Sequence, residues 1–447
     1  MSHPVVIIGA GPIGLAGAAH AQSRGLDTIV LEAGPSAGAA VSQWGHIRLF
    51  SPWSELVDPV AAALLDASGW QAPAPSSYPT GNDWVADYLQ PLADALEKTD
   101  EVEVRYGHRV VGVTRFGRDR LVDSGREEEP LVLQVDTGHG VERLTASAVV
   151  DASGTWGGPN PLGGDGLPAL GEATHADRIS YRVPDLRSEQ GRQRYAGKHV
   201  VVAGTGASAQ NALVELAHLA ESAPGTRVTW LVRRPTVGNA FGGGDNDQLE
   251  ARGALGRSAE RAAGSGAVSA RTSFRAASVE EQEGGRLTVT DFGGQTVTDV
   301  DEIVAVTGFR PDLDFLSEVR LDLDPVLQSP RTLAPLIDPN VHSCGTVYPH
   351  GAKELVQPEP GFYLVGMKSY GRAPSFLTLT GCEQVRSVIA AIDGDREAAE
   401  RVELVLPDTG VCGGAGTFDD AESDGGCCGP AVPELITIGH VGSNVSR

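Results

Sequence analysis

The stretch Val5-Val6-Ile7-Ile8-Gly9-Ala10-Gly11-Pro12-Ile13-Gly14, followed by the apolar run Thr28-Ile29-Val30-Leu31 and its closing acid Glu32, decides the fold. A β-branched run ending in Gly-x-Gly-x-x-Gly, an Ala-rich helical stretch and a second apolar run describe a βαβ unit built around a dinucleotide. Gly9 allows the tight turn, Gly11 lets the backbone approach a pyrophosphate, and Gly14 lets the helix pack closely on the strand. The helix that opens at Pro12 presents its unpaired N–H groups and positive dipole end to the phosphates. Glu32, 18 residues beyond Gly14, falls where a carboxylate accepts hydrogen bonds from a ribose, and Ala33 follows it at the edge of the same site.

The pattern recurs at Lys198-His199-Val200-Val201-Val202-Ala203-Gly204-Thr205-Gly206-Ala207-Ser208-Ala209, with a helix expected over 211–220 and a strand over 228–232. Ala209 replaces the third Gly, which this helix–strand contact tolerates. Where the first unit ends in Glu32, the second ends in Arg233-Arg234. A carboxylate repels a 2′-phosphate, whereas a guanidinium pairs with it. The first unit therefore suits the ribose of FAD or NAD, and the second suits NADPH through Gly204, Gly206, Ser208, Ala209, Arg233 and Arg234; the expected return of the last helix to the first unit makes that unit the FAD anchor. Each unit is followed by an apolar strand closing on a small residue plus Gly: Val149-Val150-Asp151-Ala152-Ser153-Gly154 and Ile303-Val304-Ala305-Val306-Thr307-Gly308. This internal duplication predicts an α/β chain of two Rossmann-like, three-layer dinucleotide-binding domains, the NADPH domain inserted in the FAD domain. The expected segments are 1–160 (FAD domain, first part), 161–195 (linker), 196–305 (NAD(P)H domain), 306–400 (FAD domain, second part) and 401–447 (a cysteine-containing flexible tail).

Around the two units, the loop from Gln43 to Trp53 gathers Trp44, His46, Arg48 and Trp53, in a chain with only six Trp. Aromatic faces suit a flat ring system, and Arg48 suits a phosphate or a reduced, anionic flavin; packing aromatics beside a surface Arg are the alternative. Val110, in the expected strand 109–114, and Gly154 are placed against the first nucleotide. Residues 241–268 read equally well as a lid or as a linker. The run from Gly361 to Lys368 reaches Gly366, and Pro374 and Ser375 are expected to open a helix running to about Ile392. That helix would return the chain to the first domain and aim its N-terminal end, with Thr378, at the nucleotide's ring.

The 447 residues carry a net charge of -23, from 35 Lys plus Arg against 58 Asp plus Glu, which argues against nucleic acid or an anionic membrane as partner. The N-terminus has no signal-peptide pattern and no apolar run reaches the length of a membrane span, so a cytoplasmic protein is expected. Of the five Cys, Cys344 and Cys382 read as inert core thiols. Cys412, Cys427 and Cys428 crowd into the tail, where flanking Gly favours accessibility and reactivity.

These motifs resemble those of the two-dinucleotide-domain flavoproteins, and within them the class B flavin monooxygenases. The resemblance rests on Gly9-x-Gly11-x-x-Gly14, on Gly204-x-Gly206-x-Ser208-Ala209, and on the run from Asp301 to Thr307-Gly308-Phe309, and it spans about residues 4–395. The linker fingerprint of those enzymes is partly present: Gly171 and His175 are kept, Ala169 stands at its Phe position, and Tyr181 arrives two residues late. The resemblance implies FAD, NADPH, O2 and a small-molecule substrate that is soft at sulfur, nitrogen, a carbonyl or a metalloid. Oxygen would be inserted through a flavin C4a-peroxide, with Arg48 and His175 as candidate catalytic contacts. A homodimer is compatible with it. The segments 43–53 and 367–374 and the Cys-Cys-Gly-Pro of the tail are also similar to flavoproteins encoded among bacterial arsenic-resistance genes. Two other readings stay open. One is a reductase passing electrons from NADPH through FAD to a disulfide, thiol compound or metalloid with Cys427 and Cys428. The other is a tail that binds a soft metalloid without catalysis through Cys412, Cys427 and Cys428.

Overall fold

The structure, a computed structural model, describes residues 3–247, 249–339, 349–374 and 376–404. In chain order its strands are Val5–Ile8 (β1), Thr28–Glu32 (β2), Val102–Tyr106 (β3), Arg109–Arg115 (β4), Leu131–Asp136 (β5), Val141–Ala146 (β6), Ala148–Asp151 (β7), Ile179–Ser180 (β8), His199–Ala203 (β9), Arg227–Leu231 (β10), Val268–Arg271 (β11), Ala276–Glu281 (β12), Leu287–Asp291 (β13), Thr296–Val300 (β14), Glu302–Ala305 (β15) and Phe362–Leu364 (β16). They form two five-stranded sheets, ordered β16-β7-β1-β2-β3 and β11-β10-β9-β15-β8, and two three-stranded sheets, β4-β5-β6 and β12-β13-β14. Pairings within the five-stranded sheets are parallel, and those within the smaller sheets are antiparallel. Because β16 completes the first sheet after β8 to β15 have been used, the second unit is inserted in the first.

The continuous apolar runs have a direct cause: each parallel strand is covered on both faces and feeds two cores in alternation. Val5, Ile7, Val30 and Val150 enter one cluster with the helices. Val6, Ile8, Leu31 and Val149 enter another with β4 and β5. The second unit repeats the arrangement, Val200, Val202 and Trp230 facing helices and Val201, Leu231 and Ile303 facing the second small sheet. Each unit is thus a helix layer, a parallel sheet and an antiparallel sheet.

The helix Pro12–Ser23 is buried over nine consecutive residues, Ile13 to Ala21. Gly and Ala dominate it because the helix Thr378–Ile392 packs against it; a Cβ on Gly17 would lie 3.5 Å from Val385. The last helix therefore does return to the first unit, but Pro374 does not open it. Pro374 lies in the preceding loop, after the turn in which Ala373 N–H donates to Tyr370 O at 2.9 Å, and the helix starts at Thr378 with no side-chain cap. The helix expected over 211–220 spans Ala207–Ser222, beginning directly after Gly206. Within 241–268, Glu250–Ala263 forms a packed helix whose buried face is Gly253, Gly256, Ala259 and Ala262. The two glycines are needed there, since a Cβ on Gly256 would lie 1.9 Å from Phe241 O. Part of the segment expected as a linker belongs to the second unit: Ile179–Ser180 pairs with β15. No helix among the described residues is long and apolar enough to cross a membrane. Cys344, Cys412, Cys427 and Cys428 lie outside the described residues, as does Ser375.

Candidate active site

The turn after β1 tests whether FAD fits. Gly9 has φ +102°, where a side chain is strained, and a Cβ on Gly14 would lie 1.9 Å from the Gly9 carbonyl oxygen. A Cβ on Gly11 would meet nothing within 4 Å, so that side of the loop is open to an approaching pyrophosphate. Pro12 occupies the first helical turn, where its missing N–H costs nothing. Glu32 is held by backbone: Ala10 N–H donates to Oε2 at 2.8 Å and Gly34 N–H to Oε1 at 2.7 Å. The glycine loop is thereby tied to the end of β2 on either side of Ala33. Each carboxylate oxygen keeps a lone pair for a ribose hydroxyl. Val110 is buried in the same core as Ile29 and Leu31, beneath that strand end.

The second turn follows the first with one difference. Gly204 has φ +128°, and a Cβ there would lie 2.2 Å from Val306 O, while Gly206 faces open space. At the position of Gly14 stands Ala209, fully buried in its helix-side core. Arg233 and Arg234 follow β10. Burial and the neighbouring Arg234 guanidinium lower the pKa of Arg233, and burial lowers that of Arg234. Both stay cationic, so the strand end concentrates positive charge that a phosphate dianion would offset.

Beside the second turn lies a cavity of about 330 Å³. Trp44, Arg48 and Trp84 line it from the first unit, Tyr181 and Arg182 from the connecting segment, and Ser208, Gly308 and Phe309 from the second unit. Phe376 and Thr378 close it at the start of the last helix. Of the residues singled out from the sequence, Trp44, Arg48, Ser208, Gly308 and Thr378 thus meet in one place. Arg48 is oriented by its guanidinium, which donates from Nη1 to Tyr78 O at 2.6 Å. Thr307 sits beside the cavity with its hydroxyl donating to Asn160 O and Pro161 O, each at 3.1 Å. His175 is not among the lining residues; its Nδ1 is 4.0 Å from Glu281 Oε2 on β12.

Three features were not found in the sequence. The first is Glu172, between Gly171 and His175. Its buried carboxylate accepts from Leu162 N at 2.9 Å, Ala169 N at 2.6 Å and the Tyr181 hydroxyl at 2.6 Å. Burial and the Glu172 carboxylate raise the Tyr181 pKa, keeping it a neutral donor at the cavity wall. The second is a clasp between the units. Gln43 Oε1 accepts from Trp156 Nε1 at 3.0 Å and from Arg182. Arg182 lies 4.6 Å above the Trp156 ring, which in turn packs 5.1 Å from Phe309.

The third is a buried ion pair. Lys368 Nζ is 2.6 Å from Asp151 Oδ2, with both side chains wholly inaccessible, and 3.0 Å from Ser153 Oγ. Ser153 donates in turn to Asp151 Oδ1 from both N–H and hydroxyl, at 3.0 and 2.6 Å. The pair joins the Ser153-Gly154 turn to the Gly366 turn, and Gly366 N–H is itself held by Gln384 Oε1 at 2.7 Å. An Asp within an apolar strand and a Lys just past another were the available signals, and only tertiary contact pairs them.

Residues 6–343 match the family described as pyridine nucleotide-disulphide oxidoreductase. The chain belongs to that family. It is an FAD-dependent oxidoreductase that uses a pyridine nucleotide, built on two Rossmann-type domains. Among solved structures, this oxidoreductase is similar to a bacillithiol disulfide reductase from Bacillus cereus, at 20% identity over 88% of this chain and 99% of that one, with a TM-score of 0.64. It is similar to a cadaverine monooxygenase of desferrioxamine biosynthesis from Erwinia amylovora, at 14% identity over 91% and 99%, TM-score 0.60. A flavin monooxygenase from Stenotrophomonas maltophilia matches at 20% identity over 89% and 98%, TM-score 0.53. Curated proteins yielded no match.

Proposed function

We propose that the protein is an NADPH-dependent flavin monooxygenase acting on a small soft nucleophile. The observation that carries this reading is the cavity itself: it is walled by aromatic side chains and lies beside the second nucleotide turn, with Ala207 and Ser208 in its wall, and no cysteine is among its lining residues within the described part of the chain. The cysteine that the described residues do include, Cys382, is buried elsewhere, with its thiol pKa pushed up by burial and by Asp58. The fold likeness to two monooxygenases supports the same reading.

The turn of Gly9, Gly11 and Gly14 with Glu32 would hold FAD, and the turn of Gly204 and Gly206 with Ser208, Arg233 and Arg234 would hold NADPH. FAD, when bound, supplies hydride acceptance and oxygen activation. This chain's residues do the rest. The Asp151–Lys368 pair and Gln384 fix the Ser153 and Gly366 turns beside the pyrophosphate turn. Thr378, which opens the helix Thr378–Ile392, stands in the cavity wall beside Phe376 and Leu377. Trp44, Trp156, Phe309 and Phe376 exclude water, which limits wasteful peroxide release. The balanced reaction consumes one NADPH, one proton and one O2, and yields NADP+, water and the oxygenated substrate.

A second reading, reduction of a disulfide, thiol compound or metalloid, is favoured by the fold likeness to the bacillithiol disulfide reductase. Incubation with NADPH and 18O2, against thiols, amines, ketones and trivalent arsenicals, separates the two. Monooxygenation puts one labelled oxygen atom into product per NADPH. Anaerobic turnover of a disulfide, lost when Cys427 and Cys428 are both changed to Ser, would replace it with the reductase reading.

A further inference from the structure

Arg182 stands where the two units meet. It follows β8, whose Ile179 and Ser180 pair with β15 of the second sheet, and the neighbouring Tyr181 is anchored through its hydroxyl on Glu172. Its Nη1 donates to Gln43 Oε1, which also accepts from Trp156 Nε1, and its guanidinium carbon lies 4.6 Å above the Trp156 ring. Gln43 belongs to the first unit, as the C-terminal cap of the helix Ala39–Ser42. One amide oxygen and one ring face thus orient the guanidinium, and neither is charged. Its Nε and Nη2 make no hydrogen bond to a described residue, and neither is among the buried side-chain atoms that lack a partner, so both are accessible. A guanidinium held in this way keeps two donors for an anion. Arg48, the other cationic residue in the cavity wall, differs in facing the Asp83 carboxylate.

The neighbours of Arg182 in that wall point to the anion. Ala207, Ser208 and Asn211, from the start of the helix Ala207–Ser222, line the same cavity, and the first turn of that helix carries no acidic residue. Nothing from the first glycine turn, Gly9 to Gly14, is in the wall. A phosphate met by Arg182 therefore belongs with the second turn, where the helix N-terminus favours negative charge. We propose that Arg182 grips the pyrophosphate of the pyridine nucleotide and that Gln43, reaching across from the other unit, is its positioning residue. The nucleotide is then held by both units at once, and its affinity depends on their meeting at Gln43. This rests on the placing of NADPH at the second turn.

The test measures Kd on the oxidised FAD holoenzyme for NADP+ and for 2′-AMP, which carries the 2′-phosphate and no pyrophosphate. Arg182→Leu is expected to weaken NADP+ about tenfold and 2′-AMP by less than about twofold, at unchanged FAD content. Gln43→Met keeps the length and removes the acceptor, and is expected to weaken NADP+ about threefold with 2′-AMP again unmoved. Because Gln43 acts through Arg182, the double variant should bind NADP+ no more weakly than Arg182→Leu alone. An unchanged NADP+ Kd, or equal losses for NADP+ and 2′-AMP, would overturn the inference; additive losses in the double variant would remove Gln43 from it. Loss of FAD from Arg182→Leu would overturn it too, by assigning the guanidinium to the flavin. Gln43 is exposed, so Gln43→Met decides the matter should Arg182→Leu fail to fold. Changing Arg233 and Arg234 together to Ala tests the underlying placement: 2′-AMP binding that survives there removes NADPH from the second turn. If it is lost there while Arg182→Leu leaves NADP+ unmoved, the inference alone fails.

Discussion

The two nucleotide units share a backbone and differ at two points. The first places Gly14 where a Cβ would lie 1.9 Å from a carbonyl oxygen; the second places Ala209 there, fully buried and accommodated. The first ends β2 in Glu32, whose carboxylate is satisfied by two backbone N–H groups; the second follows β10 with Arg233 and Arg234. The shared part makes a phosphate-binding turn at a helix N-terminus. The differing part sets how tightly the helix sits on its strand and, under the proposed function, which sign of charge would meet the ribose. A duplicated scaffold can therefore hold two different nucleotides through a handful of side chains.

The comparison breaks most visibly at its tightest point. Gly14→Ala should cost more than the usual ~1–3 kcal/mol of core overpacking, because the clash is with backbone. The expected product is insoluble or colourless protein, checked by the ratio of flavin to protein absorbance; a normal yellow enzyme would show that the first turn has the slack of the second. Next in size, changing Arg233 and Arg234 together to Ala should raise the Michaelis constant for NADPH by about 10–100-fold, as loss of charge-assisted phosphate contacts predicts. NADH kinetics should move by less than about twofold if the contact is to the 2′-phosphate, since that group is all the two cofactors differ in. Equal effects on both would place the phosphate elsewhere. The smallest effect is expected from Ala209→Gly, which makes the second turn resemble the first. It should cost about 1 kcal/mol through added backbone freedom, lowering Tm by no more than roughly 2 °C for a chain of this size, with flavin content unchanged.

Much of the scaffold was legible because parallel strands buried on both faces must be continuously apolar. Val5–Ile8, Thr28–Glu32 and His199–Ala203 are such runs, and the glycines after β1 and β9 name their own purpose. The limits of reading appear where meaning depends on contact. Nothing local tells that Ile179–Ser180, inside a Gly- and Pro-rich stretch, is a sheet strand, because two residues carry no period. Gly171 and His175 drew attention as parts of a fingerprint, yet the residue that organises this segment is Glu172, whose partners lie 3, 9 and 10 positions away. Pro374 read as the opening of a helix that begins at Thr378, because proline ends a turn as readily as it starts one.

The sequence by itself determined two nucleotide turns, their order, and the opposite charges that close them, since each is written within about 35 consecutive residues and backbone sterics leave glycine few other reasons to recur at that spacing. Only the tertiary structure decided what stands around the turns. The Asp151–Lys368 pair spans more than two hundred residues of chain, and Gln43, Trp156 and Arg182 converge from three segments. The cavity is formed by the first unit, the connecting segment, the second unit and the last helix together. Such long-range contacts leave no local period or motif, so they are read only when packing brings their members together.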